Sequence, residues 1–306
     1  LAEALVGRGE TVYVLDDLST GRIRNIEHLR EHPRFHYRID SADNRPLVAE
    51  MVDRVDVVFH LAAAVGVRLV VENPVRTLET NLRTTEVLLE MANKKRKPVL
   101  LASTSEVYGN SNKVPFSEDD PAAIGASSLT RWGYACSKLM DEFLAQAYWY
   151  EYGLPVIIVR FFNVVGPRQT GRYGMVLPTF VRQALANQPV TVYGDGSQTR
   201  CFGFVGDVVR GAMALMDRGE GVYGEIINLG NDQEITIGGL AQRVVERAGS
   251  RSDIVYVPYD QAYAPGFEDM HRRVPDLSKA GRLVGYEPSV HLDEIIDRVI
   301  EYYRAG

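Results

Sequence analysis

Apolar runs of strand length alternate with longer helical patterns in the first half of the chain, and this alternation constrains the fold more than any other feature. Residues 55–61 (VDVVFHL) form a nearly continuous apolar run, as a parallel strand covered on both faces requires. Residues 74–93 then place Leu78, Leu82, Leu88 and Leu89 on one helical face. Residues 98–103 read as strand, 131–152 as a long helix rich in aromatics and alanine, and 154–162 as strand again. Strands separated by helices of this length are joined by crossovers rather than hairpins, which predicts an α/β fold with a doubly wound parallel sheet. Ligands bind such a sheet at the carboxyl ends of its strands, so reactive residues are expected there.

The two ends of the chain read differently. Leu1, Ala2, Leu5 and Val6 have helical spacing, Gly7 and Gly9 stop the helix, and residues 11–15 form a short β run. A helix feeding a strand is the second half of a βαβ unit. The expectation is therefore a chain without its first strand and the glycine turn after it, with exposed edges inside the sheet where that strand would lie. After Gly166 the pattern loosens into Gly-, Pro- and Arg-bearing loops, short strands and a terminal helix near 292–303. This predicts two lobes: residues 1–166 with 204–228 form the sheet domain, and 167–203 with 229–306 form a smaller α/β substrate lobe. A chain of 306 residues is long enough for both.

Charge and composition remove several function classes. Lys and Arg number 34 against 40 Asp and Glu, a net charge of −6, so no basic surplus points to nucleic acid or an anionic membrane. The apolar stretch 57–67 is interrupted by His60 and is too short for a membrane span. The two cysteines, Cys136 and Cys201, cannot build a disulfide framework, and a reducing cytoplasm is expected. The six histidines show no metal-binding spacing, so no metal is expected.

Several residues at the expected strand ends carry chemistry. Asp16 follows the first visible strand, where an acid accepts hydrogen bonds from a nucleotide ribose and repels a 2′-phosphate; an acid there also simply closes a turn. Asp40 ends the run 35–39 in the same way. The small residues Ala62 and Ala63 let a backbone approach a flat ligand, or merely pack tightly. Ser103, Thr104, Ser105 and Glu106 cluster at one strand end, and a buried carboxylate there is costly unless paired or protonated. Tyr134 and Lys138 share one helical face, and a neighbouring ammonium lowers a phenol pKa toward that of a usable base. Cys136 is expected to be a small packed residue. Arg168, Arg172, Arg200, Arg272 and Arg273 lie in the loose lobe; taken singly each reads as a solvated charge, but arginines around the Gly-rich loop 193–199 suit a diphosphate.

Taken in order, these segments resemble the extended short-chain dehydrogenase/reductase family, and within it the nucleotide-sugar enzymes. The resemblance rests on LDD (15–17), HLAA (60–63), LASTSEVYG (101–109), Tyr134-x-x-x-Lys138, RFFNVVGPR (160–168), VYG (192–194) running to Arg200, and Arg273-x-x-Asp-x-Ser-Lys-Ala280. It implies a Rossmann-like domain, NAD as cofactor, a UDP-sugar substrate and a homodimer built on the helices 74–93 and 131–152. Around the cofactor it implies Asp16, Asp17, Asp40, Ser41, Leu61, Ala62, Ala63, Tyr134 and Lys138. Around the nucleoside diphosphate and sugar it implies Asn163, Val176, Val192, Tyr193, Arg200 and Arg273. Tyr134 would take the proton from the sugar C4 hydroxyl, Lys138 would hold the nicotinamide ribose, and Thr104 would steady the proton.

The string Thr104-Ser105-Glu106-Val-Tyr-Gly is most similar to UDP-glucuronate decarboxylases, as are RWxYxxSK (131–138) and GFED (266–269) running into Arg273. Ser105 stands where dTDP-glucose dehydratases have an aspartic acid. GDP-mannose dehydratases share the Thr-Ser-Glu order, so dehydration in general stays open; the reaction the resemblance implies is decarboxylation of UDP-glucuronate, with Glu106 and Arg273 near the carboxylate. The alternatives are 4-epimerisation of a UDP-hexose or UDP-hexuronate and, in another class, an inactive nucleotide-sugar-binding protein.

Overall fold

The computed structural model describes residues 1–66, 73–111, 113–171, 174–262 and 270–305. Arg172 and residues 266–269 lie outside these.

Apolar runs become strands β3 (Val58–His60), β4 (Val99–Thr104), β5 (Val156–Phe161) and β10 (Ile226–Leu229), paired in the order β3-β4-β5-β10 with every ladder parallel. Strands β1 (Val12–Asp16) and β2 (Phe35–Ile39) form a second parallel ladder, and among the described residues β1 and β3 each pair on one side only. The continuous hydrophobicity of β4 and β5 follows from helices on both faces. Val99, Leu101, Val156 and Ile158 pack under the helices Arg45–Arg54, Pro74–Lys95 and Trp132–Tyr152. Leu100, Ile157 and Val159 point the other way, onto the helices Val205–Arg218 and Ser278–Val284. All seven are fully buried, and each such side chain contributes about 1.5–3 kcal/mol of transfer free energy. No outward face remains for alternating polar residues.

A second core gathers the loosely patterned half of the chain. It joins the helices Val176–Leu185, Ile237–Ala248 and Leu292–Ala305 over β7 (Val190–Tyr193). There β7 pairs in parallel with β12 (Ile254–Val257). Two smaller ladders, β6 (Val164–Val165) with β9 (Gly203–Phe204) and β8 (Thr199–Cys201) with β11 (Glu234–Thr236), lie at the approach to this core. Among the described residues no helix is long and apolar enough to cross a membrane.

Helix Trp132–Tyr152 brings the reactive residues to the sheet edge, and its start is fixed by packing. Trp132 is 1% exposed, and a Cβ on Gly125 would stand 2.1 Å from its indole Nε1, so only glycine lets that loop pass. The helix ends at Gly153 in the left-handed conformation, with Pro155 just beyond. Cys136 corrects the sequence expectation: it is exposed. It stands about 200° around the helix from buried Tyr134, on the side that carries Met140 and Phe143.

Candidate active site

β4 ends at Thr104, and the chain turns at once into the 3-10 segment Ser105–Tyr108. The Thr104 hydroxyl accepts the Glu106 N–H at 3.3 Å, closing the turn. Tyr108 pins the other end, its hydroxyl donating to Asn228 Oδ1 at 2.7 Å from within the core. Thr104, Ser105 and Glu106 are thereby held at the carboxyl edge of the sheet, where a doubly wound fold binds its ligand.

Glu106 sits between two guanidinium groups. Arg131 Nη1 donates to its Oε2 at 2.7 Å, and Arg273 Nη1 to its Oε1 at 3.4 Å. The side chains of Arg131, Arg273 and Glu106 are 5%, 12% and 14% exposed, so the cluster is largely withdrawn from water. Arg273 also donates from Nη2 to Asn163 Oδ1 at 2.9 Å, while Asn163 Nδ2 donates to the Cys201 carbonyl at 3.0 Å. Asn163 reaches both because its backbone is left-handed (φ 36°) at the turn from β5 to β6, a conformation asparagine tolerates better than most residues.

Beside this cluster lie Tyr134 and Lys138, both buried. Here the structure reverses an expectation: the Tyr134 phenol is pushed well above its usual range, not below it. Burial is the largest cause, and the negative charges of Glu106 and Asp141 add to it; Thr104 and Arg273 oppose them. The Lys138 ammonium meanwhile donates to Asp141 Oδ2 at 2.8 Å.

These groups open onto a cavity of about 1140 Å³ between the sheet edge and the second core. Leu61, Ala63, Thr104, Ser105, Glu106, Tyr134, Lys138, Asn163, Val176, Tyr193, Arg200 and Arg273 all line it, so residues spread over more than two hundred positions converge. Its basic side chains are Arg131, Lys138, Arg182, Arg200 and Arg273, against Glu106 as the only acid among the described lining residues. In a chain of net charge −6, that local excess of cations suits an anionic ligand. Arg200 is held by the carbonyls of Thr199 and Met270, at 2.7 and 2.8 Å.

Other candidates fall elsewhere. Val192 is fully buried in the second core, and strand alternation puts Thr191 and Tyr193 on the cavity instead. Asp16, Asp17, Asp40, Ser41 and Ala62 do not line the cavity. Asp16 and Asp40 end the paired strands β1 and β2 side by side, the Asp40 N–H donating to the Asp16 carbonyl at 3.2 Å. Arg168 is engaged by Glu3 and Arg272 by Glu234, both on the surface. Sequence reasoning did not single out Arg131, Asp141 or Thr191 as functional. The signal for Arg131 was its place three residues before Tyr134, one turn up the same helical face.

A parallel sheet presenting Tyr134 and Lys138 beside Thr104 and Glu106, above a basic cavity, defines an enzyme of the extended short-chain dehydrogenase/reductase class that acts on nucleotide sugars. The chain belongs to the family described as GDP-mannose 4,6 dehydratase, whose sequence profile matches residues 1–299. A UDP-N-acetyl-alpha-D-glucosaminuronate decarboxylase of Bacillus cytotoxicus is 42% identical over 305 residues, covering 99% of this chain and 93% of the relative. UDP-glucuronic acid decarboxylase 1 of Danio rerio is 36% identical over 303 residues, covering 99% of this chain and 69% of the relative. Among solved structures, the UDP-glucuronic acid 4-epimerase of Bacillus cereus in complex with UDP-glucuronic acid and NAD has a TM-score of 0.88 at 27% identity, covering 99% of this chain and 94% of that one.

Proposed function

We propose that this chain decarboxylates a UDP-hexuronate through transient oxidation at C4, with NAD as cofactor. The observation that carries the reading is Glu106 held between Arg131 and Arg273 beside Tyr134. The decarboxylase relatives at 42% and 36% identity support it.

The chemistry follows from the charges. Tyr134 in its ionised form accepts the C4 hydroxyl proton, and Thr104 steadies the phenolate oxygen. NAD, when bound, would supply reversible hydride chemistry at C4. The C4 ketone stands β to the C6 carboxylate, so the C5–C6 bond breaks with its electron pair spread over C5 and O4, and carbon dioxide leaves. Arg273 and Arg131 balance the anionic charge, and the enolate takes its C5 proton from a water that the Glu106 carboxylate orients. Asn163, Arg200 and Tyr193 hold the nucleoside diphosphate.

The cofactor fits the ribose end of the residues present. Asp16 ends β1 with an exposed side chain, and its Oδ1 accepts the Leu18 N–H at 2.7 Å, a turn that holds the carboxylate at the strand end. Asp16→Ala is expected to weaken NAD binding about tenfold, since one hydrogen bond to a charged group is worth about 1.5 kcal/mol. Calorimetric titration with NAD measures this; an unchanged affinity removes Asp16 from the ribose site.

Incubation with UDP-glucuronate and NAD, and in parallel with UDP-N-acetylglucosaminuronate, tests the reaction. The expected products are carbon dioxide and the matching UDP-pentose, identified by NMR. A product with all its carbons and inverted C4 defeats decarboxylation and establishes the second reading, 4-epimerisation, which the fold shared with the Bacillus cereus epimerase favours.

The same reading divides the chain into lobes at 1–166 with 204–228 and 167–203 with 229–306, and places it in the cytoplasm, which two free thiols suit. It also makes the protein a homodimer through the helices Pro74–Lys95 and Trp132–Tyr152. Met140, Phe143 and Tyr150 are 56%, 65% and 81% exposed along one face of the second helix, an apolar stripe that a partner would cover. Phe143→Glu is expected to yield monomers in sedimentation analysis. A wild-type mass in that variant shows that this face is not the interface.

A further inference from the structure

We infer that Asp141 is a positioning residue for the Tyr134–Lys138 pair: its buried carboxylate anchors the Lys138 ammonium and offsets its charge, and so sets the pH at which Tyr134 becomes a base. The inference rests on reading Tyr134 as the C4 base.

Asp141 lies three residues after Lys138 on the same helix, and its Oδ2 accepts the ammonium at 2.8 Å. The two side chains are 0% and 3% exposed. The second carboxylate oxygen, Oδ1, is buried and accepts no hydrogen bond among the described residues. Burial pushes the Asp141 carboxyl up; Lys138 opposes this most, and then the fully buried Thr85, whose hydroxyl lies 3.2 Å from His60 Nε2. A buried ion pair with one unsatisfied oxygen is a poor device for stability, since apolar residues of similar volume often hold a fold as well or better. What it does supply is direction. A lysine has a long flexible stem, and a fixed carboxylate confines its ammonium to one place.

Charge is the second consequence. Tyr134 is faced by Glu106 and Thr104 from the end of β4, by Arg273 from the C-terminal segment, by Arg131 at the start of its own helix, and by Asp141 further along it. Asp141 is faced by Lys138, by Thr85 from the helix Pro74–Lys95, and by Glu142, which is itself bound to Arg160 on β5 and to Ser103. His60 on β3 is held neutral, pushed down to about 3 by burial and then by Lys138. Of the acids, Asp141 is the one paired with Lys138, and after Glu106 its charge opposes ionisation of Tyr134.

The test is a titration at position 134 that needs neither turnover nor cofactor. 3,5-Difluorotyrosine, whose phenol ionises at lower pH than tyrosine, is incorporated there and followed by fluorine NMR. Asp141→Asn keeps the shape and removes the charge, and the midpoint is expected to fall by about one pH unit. The acidic limb of kcat/KM on UDP-glucuronate is expected to move the same way, and Asp141→Glu to restore the wild-type midpoint. A role confined to packing would change stability and leave the midpoint in place, so an unmoved midpoint in folded Asp141→Asn overturns the inference. Should that variant fail to fold, Asp141→Ser removes the charge with a smaller polar side chain, and the midpoint must fall there too; an unmoved value overturns the inference equally. If no UDP-hexuronate is turned over, the proposed reaction fails while the NMR midpoint still decides the role of Asp141.

Discussion

Tyr134→Phe is expected to lower turnover of the UDP-hexuronate by roughly 10²–10⁴-fold, the usual loss when a proton-transfer group is removed. The substitution deletes one oxygen and keeps the ring. Tyr134 is 8% exposed, so the ring continues to fill its place under the sheet edge. The polar anchors assigned to the nucleotide, Asn163, Arg200 and Tyr193, line the same cavity and are untouched, so binding of the nucleotide sugar stays near wild type. The loss therefore falls on kcat and not on the dissociation constant, which calorimetry with UDP-glucuronate measures separately. Turnover at the wild-type rate would remove Tyr134 from the mechanism. Because burial raises the phenol, its proton leaves more readily as pH increases, and activity is expected to climb on the alkaline side of neutrality.

Glu106→Gln carries the second large effect, and it divides between chemistry and stability. In the proposed reaction oxidation at C4 belongs to Tyr134, whereas loss of the carboxylate and protonation at C5 belong to the cluster around Glu106. The variant is therefore expected to form the 4-keto sugar and stall there, with carbon dioxide release slowed by roughly 10²-fold. Rapid-quench analysis of the keto intermediate against released carbon dioxide measures the split. Equal loss in both steps would show that Glu106 only supports the architecture. The structural cost is separate. Arg131 and Arg273 point at one carboxylate from two sides, at 2.7 and 3.4 Å. Removing its charge leaves two largely buried guanidinium groups facing a neutral amide, and breaking such a pair typically costs about 3–5 kcal/mol. Denaturant unfolding of Glu106→Gln beside Glu106→Asp, which keeps the charge, reads that cost.

Much of this site was legible before any coordinates, and for local reasons. Tyr134 and Lys138 share a helical face by spacing alone, and Thr104 to Glu106 stand at the end of an apolar run that had to be a strand. The failures share one cause. The family pattern puts Val192 on the ligand, yet it is fully buried in the second core, because alternation along β7 turns Thr191 and Tyr193 outward instead. The sequence suggests a packed Cys136, yet it lies on the exposed stripe, because nothing in a single helix says which faces a neighbour covers. Spacing alone has Lys138 lower the Tyr134 pKa, a pairwise argument that leaves out burial and the negative charges of Glu106 and Asp141.

The linear chain carried the period of each segment. Continuous runs in β4 and β5 require cover on both faces, long helices between strands require parallel crossovers, and a strand end is where such a sheet exposes reactive groups. Those are properties of neighbours in sequence, set by backbone geometry and the removal of apolar surface from water. The convergence of Glu106 with Arg131 and of both with Arg273, 167 positions further on, belongs to folding alone. So does the net electrostatic environment of Tyr134, since a pKa is the sum of burial and every surrounding charge. Such sums exist only once distant segments share the same low-dielectric space.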